Sequence, residues 1–333
     1  MVAVLVTGES RHPGGGAQTT PERVAVCLRA AVPAFALTAA QAERLRQALP
    51  GATVTVHDTE ESFARGLADA EMGIGWRFRQ AWIDAAPRLR WLATPAAGHD
   101  YFQLTLRPGL RLTYGRFQGP LMAETVAGMV LGESRGLLEG VRLQTAGEAW
   151  PREALAPRLR SVRGTHAVIV GFGRIGEWTG RRLKPFGVRV TGIRRHPETD
   201  PRPSWMEAED RILPVSQLNA ALADADHVIL VLPRSAETDR LMDAGRLALL
   251  PKRAVLYNVG RGNAVDEDAL ALALRDGRLR AACLDVYSRE PLAADSPLLQ
   301  TPRLYLMPHL AAVAPDYLDH YIDELAGLWR AQG

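Results

Sequence analysis

The sequence predicts an α/β protein built on doubly wound parallel sheets. Three observations carry that expectation. Strand-like apolar runs alternate with helical patterns along most of the chain, a glycine-rich turn joins one such strand to one such helix, and 333 residues exceed one ordinary core. Composition is that of a soluble globular chain, 47% hydrophobic and 23% charged. The formal charge is +3 and the 40 Lys and Arg residues are dispersed, which argues against a nucleic-acid partner.

The first series opens with "VAVLV", residues 2–6, as a strand. It continues through "TAAQAERLRQAL" (helix), "ATVTVH" (strand), "EESFARGL" (helix), "EMGIG" (strand), "RQAWIDAA" (helix) and "LRWLAT" (strand). The Gly/Pro-rich "ESRHPGGGAQTTPER" interrupts it as a loop, and no Lys-Ser/Thr follows its glycines as a phosphate loop needs. "AVCLRAAVPAFAL" is broken by Arg29 and Pro33 before it can span a bilayer, and the N-terminus lacks the basic start of a signal peptide. Cys27 and Cys283 are far apart and flanked by apolar residues, as expected of buried free thiols in a reducing compartment. No metal-ligand spacing surrounds either cysteine. The expectation is a cytoplasmic protein with no membrane partner and no metal.

A long helical pattern then covers residues 120–146, followed by Trp150 in a Pro-flanked loop. A second series follows from "HAVIVGFGRIGEWTGRRLKPFGVRVTGI" through "VSQLNAALADADHVILVLP", "DAGRLALLPKRAVLYNVG" and "DEDALALALRDGRLRAACLDVY" to "RLYLMP". Each segment pairs a strand run with a helix, the pattern of a nucleotide-binding sheet. "APDYLDHYIDELAGLWRAQ" closes the chain as a helix.

"VIVGFGRIG" sets Gly171, Gly173 and Gly176 in G-x-G-x-x-G spacing between a strand and a helix. The glycines permit a tight turn, close approach of backbone to a pyrophosphate and close helix–strand packing, while the helix start offers N–H groups. The next strand, "VRVTGI", ends at Arg194 and Arg195, where an NAD site carries an acid for the ribose 2'-hydroxyl. Arginine cannot accept that hydrogen bond, but its planar fork suits a 2'-phosphate. At about 1.5 to 3 kcal/mol per charge-assisted bond, one good pair favours NADP(H) over NAD(H) roughly ten- to a hundredfold. The plainer alternative is a pair of solvated charges at a strand end, which leaves NAD(H) possible.

Three later residues suit hydride transfer to a carbonyl beside a carboxylate. Arg261 lies between glycines after a strand in "YNVGRGNAVDEDAL", Glu290 lies in "CLDVYSREPL", and His309 follows a Pro turn in "YLMPHLAAV". An Arg binds a carboxylate and polarises the neighbouring carbonyl, a His supplies a proton to the developing alkoxide, and a Glu paired with that His orients it and stabilises its imidazolium. Singly, each also reads as a loop charge, a helix cap or a turn residue.

Together, "GFGRIG", "NVGRG", "LDVYSREPL" and "MPHLAA", in this order and spacing, resemble the D-isomer-specific 2-hydroxyacid dehydrogenases. The resemblance covers about residues 90 to 312 and is closest to the glyoxylate/hydroxypyruvate reductase branch, which commonly prefers NADPH. It implies that Arg261, Glu290 and His309 are catalytic. Gly171, Gly173, Arg174, Ile175 and Gly176 would meet pyrophosphate, and Leu232, Pro233 and Thr238 would form a cofactor-contacting loop. Val259, Gly260 and Ala311 would lie at the nicotinamide, with Asp285 holding its carboxamide. "TPAAGHD" resembles the substrate loop, where the N–H groups of Ala97 and Gly98 would receive the substrate carboxylate.

"GIGWRFR" stands at the family's substrate pocket, so Trp76 would line it and Arg77 would either contact a substrate acid or face solvent. His99 and Val313 depart from the family's usual residues. The family architecture inserts a Rossmann cofactor domain, residues 117–306, into a flavodoxin-like substrate domain, residues 1–116 plus 307–333. The helix at 120–146 would be a dimerisation arm, with Trp150 reaching toward a partner's cleft in a homodimer. The implied activity is NADPH-dependent reduction of a small 2-keto acid to its D-2-hydroxy acid. Phosphoglycerate- or phosphite-type dehydrogenases, and a dinucleotide-sensing corepressor, share the scaffold.

Overall fold

The computed structural model describes residues 20–198 and 201–331. The expected strand at 2–6 and most of the Gly/Pro-rich segment lie outside the described residues. The first strand described is β1 (Arg23–Cys27), part of the run whose interruption excluded a membrane span. It is followed by α1 (Ala39–Ala48), β2 (Thr53–Val56), α2 (Glu60–Asp69), β3 (Met72–Gly75), α3 (Gln80–Asp84), β4 (Trp91–Thr94) and β5 (Arg111–Tyr114). Local sequence fixes the helix starts. Thr38 with Gln41 and Thr59 with Ser62 form reciprocal capping boxes, each satisfying two N–H groups that the first helical turn leaves without partners.

The expected single helix at 120–146 is two helices, α4 (Gly119–Ser134) and α5 (Leu137–Thr145). The break falls at Gly136, whose φ of 71° is left-handed, a conformation that favours glycine. After α6 (Arg152–Leu155) come β6 (His166–Val170), α7 (Arg174–Leu183), β7 (Arg189–Arg194), β8 (Arg211–Pro214), α8 (Leu218–Leu222) and β9 (His227–Leu230). Then follow α9 (Ala244–Leu249), β10 (Val255–Asn258), α10 (Glu267–Arg275), β11 (Ala281–Leu284), β12 (Leu304–Leu306) and α11 (Tyr317–Arg330).

Among the described residues these strands form two sheets, ordered β2-β1-β3-β4-β5 and β12-β11-β10-β9-β6-β7-β8. Every strand pair is parallel. Parallel strands need crossover connections, so helices cover both faces and central strands are buried along their length. Strand order reverses between β1 and β3 in one sheet and between β6 and β9 in the other. Crevices beyond the carboxyl ends of strands at such points are where ligands bind.

Each sheet packs between two apolar clusters. The C-terminal α11 returns to the first sheet, where Leu318, Ile322, Leu325 and Trp329 pack with Val24, Val26, Ile74 and Trp91. Helix α4 instead packs Met122, Val126 and Val130 with the second sheet. No helix among the described residues is long and apolar enough to cross a membrane. Leu325 is fully buried, so Leu325→Ala is expected to cost about 2 to 5 kcal/mol of unfolding free energy. Chemical denaturation followed by circular dichroism checks this, and a loss under about 1 kcal/mol would remove α11 from the core.

Candidate active site

A cleft of about 1230 Å³ opens between the loops that leave the carboxyl ends of β1, β3 and β4 and those that leave β10, β11 and β12. Arg261, Glu290 and His309 all line it. Each sits just beyond a strand of the second sheet, because a side chain at a strand end is free of the helices that cover both faces.

The loop after β10 is held from below by Asn258, which is fully buried. Its Nδ2 donates to the Arg261 carbonyl at 3.0 Å and its Oδ1 accepts from the Gly260 N–H at 3.1 Å. Gly262 packs so closely on the backbone of Tyr287 and Ser288 that a Cβ would overlap it, which joins the Arg261 loop to the segment bearing Glu290. That segment is fixed again by Glu267, whose two oxygens accept from the Ser288 N–H and hydroxyl at 2.7 Å each.

His309 and Glu290 form a pair, with Nδ1 2.7 Å from Oε2. The other carboxylate oxygen accepts from the Tyr287 N–H at 3.0 Å. Because Nδ1 faces a carboxylate, it carries the proton in that bond, and Nε2 is left as the ring nitrogen available to a ligand. His309 itself has a left-handed φ of 56°, a conformation costing a non-glycine residue about 1 kcal/mol or more. Asp285 holds it there. The Asp285 carbonyl accepts from the His309 N–H at 2.8 Å, and its carboxylate oxygens accept from the Leu310 and Ala311 N–H groups at 2.8 and 2.9 Å. The role of Asp285 visible in the structure is therefore to shape the His309 loop.

Arg261 meets a residue that sequence reasoning passed over. Its Nε and Nη2 donate to the two oxygens of Asp100 at 3.0 and 3.1 Å, and Nη1 donates to the Gly260 carbonyl at 2.9 Å. Burial raises the Asp100 carboxyl, but the hydrogen bonds and charge of Arg261 outweigh it and hold the group below the usual carboxylate range. The remaining N–H groups of Nη1 and Nη2 are free for another anion. The available signal was an acid at the end of "TPAAGHD", two residues beyond Gly98.

Ala97 and Gly98 line the same cleft. A Cβ on Gly98 would overlap the Arg261 guanidinium, so glycine is what lets the two loops meet. Trp76 also lines the cleft, its ring nitrogen donating to the Phe35 carbonyl at 2.8 Å and its ring stacked with Tyr317. Arg77 reaches the cleft wall but is largely exposed and lies 3.5 Å from Glu60. His99 stacks on Tyr114 at 4.3 Å between centroids, and burial lowers its pKa.

The glycine turn stands at the amino end of α7. Gly171 has φ 93° and abuts the Val231 carbonyl, while a Cβ on Gly176 would come within 2.5 Å of the Gly171 carbonyl. Gly173, the residue before α7, has open space where a side chain would stand. Arg174 and Ile175 begin the helix, so their N–H groups belong to the first turn, where donors lack helical partners. This cradle fits a dinucleotide pyrophosphate.

Next to it, Thr238 organises the loop from Leu232, accepting from the Ser235 N–H at 2.9 Å and donating to the Pro233 carbonyl at 2.8 Å. A Cβ on Gly260 would strike the Leu232 backbone, which ties that loop to Arg261. Val259 and Ala311, both buried, form the cleft wall between the dinucleotide cradle and His309. Arg194 ends β7, partly buried, and donates to the Pro197 carbonyl at 2.8 Å; Arg195 is exposed and 3.3 Å from Glu237.

Residues 127–311 match the profile of the D-isomer specific 2-hydroxyacid dehydrogenase NAD binding domain. Glyoxylate/hydroxypyruvate reductase B of Klebsiella pneumoniae is 32% identical over 289 residues, which cover 82% of this chain and 86% of that protein. The crystal structure of a D-isomer specific 2-hydroxyacid dehydrogenase family protein from Aeromonas salmonicida superposes with a TM-score of 0.74 at 30% identity, covering 93% of this chain and 94% of that one. A D-isomer specific 2-hydroxyacid dehydrogenase from Xanthobacter autotrophicus, solved with NADPH and MES, gives 0.70 at 26% identity over 94% and 96%. With the cradle, the paired strand-end residues and these matches taken together, the chain belongs to the D-isomer specific 2-hydroxyacid dehydrogenase family of nicotinamide-dependent oxidoreductases.

Proposed function

We propose that the chain reduces a small 2-keto acid of the glyoxylate or hydroxypyruvate kind to its D-2-hydroxy acid, with NADPH preferred. The observation that carries this reading is the His309–Glu290 pair facing Arg261 in one cleft. The nicotinamide dinucleotide supplies the hydride when bound, and Gly171, Gly173 and Gly176 leave room for its pyrophosphate. The free N–H groups of Arg261 receive the substrate carboxylate together with those of Ala97 and Gly98. Nε2 of His309 gives its proton to the carbonyl oxygen as charge develops there. Glu290 keeps the ring turned toward that oxygen and stabilises the imidazolium before transfer.

The chain crosses between the sheets near residues 116 and 307, and we place there the hinge that closes the cleft and excludes water. By the same reading, residues 117–306 form the inserted cofactor domain. The dimerisation arm is α4, α5 and the segment after them, because Leu137, Val141 and Trp150 are 63%, 62% and 81% exposed. Leu137 and Val141 are four residues apart on α5 and share one face. An apolar face of that kind fits a homodimer contact.

His309→Ala is expected to lower kcat by about 10²- to 10⁴-fold while NADPH affinity, read by fluorescence titration, stays at the wild-type level; a variant with normal turnover removes His309 as proton donor. Replacing Arg194 with Asp and Arg195 with Ser should move the kcat/KM ratio for NADPH over NADH down by roughly ten- to a hundredfold. An unmoved ratio means that the two arginines are surface charges. Val141→Asp should convert the dimer to monomer in light scattering, and an unaltered mass would place the interface elsewhere.

A further inference from the structure

The substrate loop is pinned by residues that nothing in the motif pattern marks. We infer that Gln118 and Tyr317 are positioning residues that hold the Pro95–Gly98 loop so that its N–H groups face the substrate carboxylate. Both side chains line the cleft and both are buried. Nε2 of Gln118 donates to the Pro95 carbonyl at 2.5 Å, and the Tyr317 hydroxyl donates to the same oxygen at 3.2 Å. That carbonyl has two lone pairs, and the two donors occupy them. Gln118 also lies 3.4 Å from the Tyr317 hydroxyl, so the three groups form one closed cluster.

The rest of the loop is fixed on either side of this point. Proline at 95 restricts its own φ. The Ala96 N–H donates to Thr94 Oγ1 at 3.2 Å, and the Ala96 carbonyl accepts from the Gly115 N–H at 3.0 Å. In a trans peptide the N–H points opposite to the carbonyl. Anchoring the Ala96 carbonyl on Gly115 therefore aims the Ala97 N–H away from Gly115, and anchoring the Pro95 carbonyl fixes the plane before it.

The donors come from separate parts of the chain. Gln118 precedes α4 on the first crossing between the sheets, and Tyr317 opens α11 after the second. A Cβ on Gly115 would lie 2.5 Å from the Pro95 carbonyl, so the first crossing must also pass close to the loop. Both crossings thus meet at one carbonyl oxygen next to the substrate loop, and their geometry is transmitted to the groups that bind the carboxylate.

The inference rests on the proposed reading of the cleft as a 2-keto acid site. The test uses the full-length protein with Tyr317→Phe, which deletes only the hydroxyl, and Gln118→Glu, which keeps the shape and removes the donor. Each should raise the KM for glyoxylate or hydroxypyruvate about three- to tenfold, with kcat within about twofold and NADPH affinity unchanged. Arg261→Ala is assayed alongside. If it leaves KM unchanged, the proposed site is wrong. If it raises KM while Tyr317→Phe and Gln118→Glu keep the wild-type value, Gln118 and Tyr317 only brace the fold and the inference fails by itself. Hydrogen exchange at Ala97 and Gly98 gives a readout independent of turnover: Tyr317→Phe should accelerate it, and unchanged exchange overturns the pinning.

Discussion

The site depends on a constraint that recurs at each functional strand end. A loop leaving a parallel sheet loses its ladder partners, and its N–H and carbonyl groups still need hydrogen bonds. Here a buried polar side chain at the strand terminus supplies them. Thr94, Asn258 and Asp285 are at most 1% exposed, and they stand at the ends of β4 and β10 and just beyond β11. Thr94 bonds the start of the Pro95–Gly98 loop, Asn258 bonds both sides of Arg261, and Asp285 bonds the turn after His309. A buried polar group that is fully partnered makes a rigid junction, whereas one left without partners costs about 1 to 3 kcal/mol. The three loops therefore have little freedom to present their functional groups elsewhere.

That rigidity matters because the charge on Arg261 is already matched by Asp100. A guanidinium paired through one edge attracts an incoming carboxylate less strongly than an isolated one, since the pair is close to neutral as seen from the cleft. On the proposed reading, binding a 2-keto acid would then rely more on direction than on net charge: the free edge of Arg261 from one side and the N–H groups of Ala97 and Gly98 from the other. Direction is worth having only if the loops do not reorient, which is why the anchoring of Pro95 and Asn258 belongs to the same design as Arg261 itself. Asp100 contributes by locking the planar fork, so its remaining donors have one orientation.

Local signals were read well from the sequence, and long-range ones were not. The turn from β6 through α7 to β7 carries its whole explanation within thirty residues: an apolar run, three spaced glycines and the helix that follows them. Arg261, Glu290 and His309 stood out only through the resemblance that their motifs carry together, since each alone also reads as a loop charge, a helix cap or a turn residue; the fold brings all three to one cleft. By contrast β5 and β8 are edge strands with half-exposed, mixed sequences, so neither alternation nor an apolar run marks them. The break at Gly136 was hidden inside an otherwise helical pattern, because a lone glycine does not reveal the left-handed φ that ends α4 and starts α5. Asp100 and Tyr317 act across separations of 161 and 222 residues, and Gln118 joins Pro95, 23 residues away, to Tyr317, 199 residues away. Their partners become neighbours only after both sheets have formed.

Sheet order also separates the two arginines proposed to choose the dinucleotide from the residues proposed to carry the reaction. The switch point of the second sheet lies between β6 and β9. Arg194 ends β7 on one side of it, while Arg261, Glu290 and His309 follow β10, β11 and β12 on the other. Neighbouring strands are about 4.8 Å apart, so β7 and β10 are separated by β6 and β9, about three strand spacings. A charge at the end of β7 is thus screened by solvent from the imidazole and guanidinium at the reacting centre. On the proposed reading, substitutions at Arg194 and Arg195 would act on adenosine-end affinity with little electrostatic effect on proton transfer at His309. In this fold cofactor preference can change without changing the reaction, because a parallel sheet places the two ends of an extended ligand over different strands.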